Sequence, residues 1–176
     1  MKKYALIVPF ALSTSLAVAA EQPYIGVDYF GVSFSQSDFD MNSYGVRLKL
    51  GSEINQYFAA EIHIATAAEE TLETDDGDEW DVKLEYLYGM GFRGQFPFAN
   101  ERARFYGTVG YSYARLEAES DFFDPEADSV DGASIGFGFD VTAAQNWLVN
   151  IDYTSYINSN SAELTGASVG VRYQLQ

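Results

Sequence analysis

From Pro23 onward, apolar and polar positions alternate with a period of two in eight stretches separated by turn-like sequence. That period puts successive side chains on opposite sides of an extended chain, so each stretch predicts a strand with one apolar face. The clearest case sets Trp80, Val82, Leu84, Tyr86, Tyr88, Met90 and Phe92 against Asp81, Lys83, Glu85, Gly89, Gly91 and Arg93. Residues 43–51, 57–65, 103–116, 133–141 and 147–156 repeat the pattern. In the first stretch, residues 24–35, Ile25, Val27 and Tyr29 alternate with Gly26 and Asp28 before the phase slips near Phe30 and Gly31, which predicts a bulge. The last stretch sets Val169, Val171, Tyr173 and Leu175 against Ser168, Gly170, Arg172 and Gln174.

The connections divide into two kinds. Residues 36–42, 66–79, 117–132 and 158–165 hold 17 of the 26 acids and no Lys or Arg. The alternate ones, residues 52–56, 94–102 and 142–146, are shorter on average and nearly neutral. In an up-and-down barrel, odd and even hairpins lie at opposite rims. The sequence therefore predicts an all-β, eight-stranded antiparallel up-and-down barrel with one acidic rim.

The composition of the two faces says which way the barrel is turned. Trp80, Trp147 and many Tyr stand on the apolar face near strand ends, as in interfacial girdles, while the other face is Gly, Ser, Ala and charge. A soluble lipocalin-like barrel would carry its apolar face inward. Small and charged residues suit the narrow interior of an eight-stranded barrel, so the apolar face is expected to meet lipid. Such a sheet must close, because an open edge in hydrocarbon leaves backbone groups unsatisfied.

The N-terminus adds an address. Lys2 and Lys3 precede an apolar run from Tyr4 to Leu16 and small residues at 17–20, the form of a secretory signal cut after Ala19 or Ala20. Residues 1–20 are expected to be this signal and residues 21–176 the barrel. Losing the two lysines takes the net charge from −16 to −18, which argues against nucleic acid as a partner. The chain has no cysteine, so neither a disulfide nor a thiolate nucleophile is available. Localisation in the outer membrane of a Gram-negative bacterium, by export through the periplasm, follows as the expectation. The acidic connections would then face outward from the cell.

Several residues are candidates for chemistry. Alternation turns Asp28, Glu61, Asp81, Glu85, Asp140 and Asp152 inward with Arg47, Lys49, Lys83, Arg93, Arg104 and Arg172. Equal numbers of each sign predict a paired network that fills the lumen rather than an ion path, since a buried unpaired charge is costly. His63, the lone histidine, faces inward too, whereas a lipid-modifying site would need a base and a hydroxyl facing the bilayer. No catalytic residue, metal site or cofactor is assigned. The acids at 75–79 and 121–131 lack the EF-hand spacing, although weak binding of divalent cations or of an extracellular ligand there remains open. Arg115, outward near the acidic rim, could contact a lipopolysaccharide phosphate.

Eight alternating strands, a Gly-rich inner face and the closing Gly170-Val171-Arg172-Tyr173-Gln174-Leu175 resemble the small outer-membrane β-barrel family that includes the OmpA and OmpX barrels. In that family the last strand reads polar-x-Gly-x-x-aromatic-x-apolar, positions held here by Ser168, Gly170, Tyr173 and Leu175, with Gln176 following. The resemblance implies recognition by the barrel-assembly machinery; contact with outer-membrane lipid and lipopolysaccharide, and a monomer, are further expectations. Three functions remain: a non-enzymatic envelope body with acidic interaction loops, a narrow channel for small solutes or ions, or a lipid A-modifying enzyme.

Overall fold

Antiparallel pairing runs unbroken around the molecule in a computed structural model that describes residues 22–36, 39–73, 79–100, 102–120, 123–158 and 162–175. Residues 1–20, where an export signal is expected, residues 74–78 and 121–122 of the acidic connections, and the side chain of Trp80 lie outside the described residues. The strands are β1 (Gln22–Gln36), β2 (Phe39–Asn55), β3 (Phe58–Ala67), β4 (Glu70–Glu73), β5 (Glu79–Phe98), β6 (Ala103–Ser120), β7 (Phe123–Ala144), β8 (Trp147–Asn158) and β9 (Glu163–Gln174). β3 and β4 both pair with β5 and form one interrupted stave, while β1 pairs with β9. The result is a closed eight-stave up-and-down barrel without an open edge around its girth.

Three tight connections, at Gln56-Tyr57, Ala99-Asn100 and Gln145-Asn146, share one end with both termini of the barrel. Ala99 and Asn100 take positive φ values of 53° and 57°, a left-handed conformation uncommon for residues other than glycine. At the other end the strands run further than alternation alone suggests. β6 and β7 stay in register from Ala103↔Val141 to Ala118↔Glu126, so much of the connection expected over residues 117–132 is a two-stranded ribbon.

The outer face between the ends is apolar and rimmed by aromatic rings. Phe98, Phe105 and Phe139 cluster near the tight turns, where Trp147 also packs on Tyr173 at 4.9 Å. Tyr29 stacks on Tyr44 at 5.8 Å, and Tyr86 contacts Tyr88 and Tyr113, toward the far end. From Phe105 to Tyr113 is eight residues, about 20 Å of height at ~3.3 Å per residue and a ~40° tilt. That matches the apolar band of a membrane barrel, roughly 25 Å.

Beyond the far belt the polarity inverts. Phe30, Val32 and Phe34 of β1, Met41 of β2, Val82 and Leu84 of β5, Leu116 of β6 and Leu164 of β9 all point inward into one buried apolar cluster. No bulge forms at Phe30 and Gly31: β1 stays in register with β2 through Gln36 and with β9 through Ser35. The pattern changes there because the surroundings change, with apolar side chains now filling the interior. In β5 the expected single face is broken instead. The register shifts between Leu84 and Tyr86, so Glu85 is a bulge that turns Val82 and Leu84 inward.

Candidate functional site

The lumen can be read from the tight-turn end upward, because each stave contributes one inward residue per two positions. At the mouth, Arg104 donates to Glu53, which also accepts from Gln174 Nε2 at 3.0 Å. Above them Arg93 from β5 and Arg172 from β9, on opposite walls, both donate to the carboxylate of Asp140. Each guanidinium also lies over a ring: Arg93 over Tyr106 at 3.4 Å and Arg172 over Tyr24 at 4.5 Å. The Tyr24 hydroxyl donates to Glu61 Oε2 at 2.9 Å.

The next layer centres on Arg47. Its Nε donates to Asp28 Oδ2 at 2.8 Å, and its Nη2 donates to both Asp152 oxygens at 2.8 and 2.7 Å. Nη1 reaches the Tyr156 oxygen and Nη2 the Ser168 Oγ. Lys49 Nζ bridges the same carboxylates, 2.9 Å from Asp28 and 3.5 Å from Asp152. Asn150 and Tyr106 add hydrogen bonds to Asp28 and Asp152 at 3.0 and 3.1 Å. Buried charges are tolerated when they are paired and hydrogen-bonded, and this layer meets that requirement. Glycines give these side chains their room. The Tyr24 ring occupies the place of a Cβ on Gly51, and the Tyr106 ring does so over Gly138.

Nine of the twelve charges expected to face inward do so: Asp28, Arg47, Lys49, Glu61, Arg93, Arg104, Asp140, Asp152 and Arg172. Lys83 and Glu85 are not, and Asp81 shares their outward side. The Glu85 bulge leaves Lys83 outward, 3.0 Å from Glu117, and Glu85 outward, 2.7 Å from Arg115. Arg115 is outward as its parity predicts, but it is paired with this acid. Glu53 and the three tyrosines Tyr24, Tyr106 and Tyr156 join the network unpredicted, because a tyrosine in an alternating stretch reads as part of the apolar face. Arg104, inward as its parity predicts, pairs with Glu53. The corrected interior holds five acids and five bases among the described residues.

His63 faces the lumen, its ring edge-on to Tyr156 with centroids 5.5 Å apart. It borders a cavity of about 40 Å³ with Arg47, Glu61, Tyr106, Asp152 and Thr154. A space of that size has room for about three water molecules. Of the C-terminal positions, Ser168 is buried against Arg47, Gly170 packs on Asp28, Tyr173 joins the lower aromatic belt and Leu175 is exposed. No group of three or more metal-ligating side chains occurs among the described residues.

A closed barrel with an apolar outer band, two aromatic belts and a charged interior is the architecture of an outer-membrane protein. The chain belongs to the outer membrane protein beta-barrel domain family, whose model matches residues 5–174. Among solved structures it resembles Ail, the attachment invasion locus protein of Yersinia pestis, at 18% identity and a TM-score of 0.66, covering 88% of this chain and 98% of that one. Neisserial surface protein A matches at 15% identity and a TM-score of 0.69 over 87% and 97% of the two chains. OprG from Pseudomonas aeruginosa matches at 10% identity and a TM-score of 0.60 over 89% and 97%. Ail has also been seen in complex with the heparin analogue sucrose octasulfate. No curated protein sequence matches the chain.

Proposed function

We propose that the protein is a non-enzymatic, non-conducting body in the Gram-negative outer membrane that presents an acidic outer rim to cationic partners. Residues 1–20 act as its export signal, and Ser168, Gly170, Tyr173 and Leu175 as its assembly signal. The observation that carries this reading is the filling of the lumen. Four of its five acids form ion pairs with its five bases, Glu61 accepts from the Tyr24 hydroxyl, and an apolar cluster closes its outer end. An ion would have to break charge pairs and then cross hydrocarbon, each step costing several kcal/mol.

The rim supports the partner class. Its four connections carry 17 acids and no base of their own. A field of one sign attracts the opposite charge and repels its own, within about 8 Å at physiological salt. A polyanion such as the one bound to Ail is therefore a poor ligand for this chain. The test is binding by the protein in nanodiscs to a lysine-rich peptide and to sucrose octasulfate. Salt-sensitive binding of the peptide alone is expected, and preference for the sulfated sugar would overturn the proposal.

A further inference from the structure

Inward glycines in this barrel have a use, since side chains such as the Tyr24 and Tyr106 rings, or the backbone of a neighbouring strand, come within contact of the place a Cβ would take. Gly94 and Gly107 have no such use. They face each other across β5 and β6 on the outward, lipid-facing side. A Cβ added to Gly94 would meet no atom within 4 Å, and one on Gly107 would meet only the Gly136 carbonyl oxygen at 3.7 Å. Glycine inside a strand weakens it and often marks a bulge, a bend or close approach by another molecule; the register is unbroken at Gly94 and Gly107, which leaves a bend or close approach.

The surroundings say what kind of approach. The pair interrupts a row that runs Phe58, Gly94, Gly107, Phe137 across four neighbouring strands. With Phe96 and Phe105 below, it leaves a shallow, open notch of about 380 Å³ on the barrel wall. Every outward phenylalanine among the described side chains stands on this wall, on β3, β5, β6 or β7. The opposite wall is aliphatic between its belts: Val27, Val46, Leu48, Val149, Val169 and Val171. Phe58, Phe92, Phe96, Phe105, Val109, Ile135 and Phe137 are 56–67% exposed. Together they offer roughly 800 Å², the area each partner gives in a stable complex.

We propose that this wall is where a second copy of the chain docks in the membrane, in place of the monomer expected from the sequence. Lipid tails are as apolar as phenylalanine, so association there depends on closer packing than lipid achieves, which small residues permit. Notch and rings lie on one wall at similar depth. Two copies inserted in the same direction are related by a two-fold axis along the membrane normal, which sets the rings of each against the notch of the other. Such a surface is complementary to itself.

The chain has no cysteine, so single cysteines can be placed cleanly. Phe92→Cys and Val109→Cys flank the notch, and Val171→Cys lies on the opposite wall. Each full-length variant is treated with a short bismaleimide in native outer membranes. The proposal expects a crosslinked dimer from the first two and none from Val171→Cys. Adding Gly94→Leu and Gly107→Leu should abolish the dimer while the heat-dependent gel shift of the folded barrel persists, because a Cβ at either position meets no atom closer than 3.7 Å and the side chains point out of the barrel. Equal crosslinking from both walls, no crosslinking from either notch position, or a dimer indifferent to the leucines would each overturn the proposal. So would a monomer that retains phospholipid in native mass spectrometry and loses it with the leucines, since the occupant would then be an acyl chain.

Discussion

The guanidinium of Arg47 lies 5.8 Å from the centre of the Phe30 ring, and at that contact the interior changes from ion pairs to hydrocarbon. Below it the barrel is polar inside and apolar outside; above it the order is reversed. Both arrangements follow from one rule, that each face matches its medium: lipid against the lower wall, water against the upper. The apolar cluster thus stabilises the outer extension as a core and closes the lumen beneath it.

This inversion makes the two sides of β5 respond differently to mutation. Leu84→Ala should destabilise the barrel by ~2–5 kcal/mol, as expected for a buried side chain in a packed core. Lys83→Ala or Glu117→Ala should change it by ~1 kcal/mol or less, because that ion pair is partly exposed. Urea titration of the refolded protein measures both. Similar losses at Leu84 and Lys83 would mean that the Glu85 bulge is misplaced.

Asp140 is the shared partner of Arg93 and Arg172, so its neutralisation strands two buried cations. Asp140→Asn should cost ~3–5 kcal/mol, with the gel-shift transition moving to lower temperature. Adding Arg172→Gln should recover part of the loss. An Asp140→Asn barrel as stable as the parent would show that these charges are not held as a network.

A lipid-facing position gives a third contrast. Ile151 is exposed on the outer face between the belts, and a charge at that depth costs ~2–4 kcal/mol. Ile151→Arg should therefore reduce the protein recovered folded in outer-membrane fractions, whereas the inner-face change Ser134→Thr should not. Recovery of the parent protein from the soluble periplasm, without a heat-dependent mobility shift, would overturn the membrane assignment itself.

Much of this architecture is legible in the sequence, since period-two alternation fixes both the strands and their faces within the membrane band. It fails where two media use the same residue types. Val82 and Leu84 suit lipid as well as they suit a core, so the one-residue slip at Glu85 leaves no mark in the pattern and carries Lys83 and Glu85 to the wrong face. The reverse happens at Phe30, where the pattern breaks although the backbone does not. Glu53 sits in what reads as a turn, because charge near a strand end carries no sign of which face it will take. Tyr24, Tyr106 and Tyr156 are hidden for another reason: a tyrosine buries its ring while its hydroxyl joins a polar network, and alternation records only the ring.

The closed lumen is the central claim, and conductance across planar bilayers tests it directly. The purified protein should show no steady current, because paired charges fill the barrel and the cluster around Phe30 and Leu164 seals its outer end. A stable cation-selective current that Asp152→Asn or Glu61→Gln abolishes would contradict this account and make the charged interior a pathway.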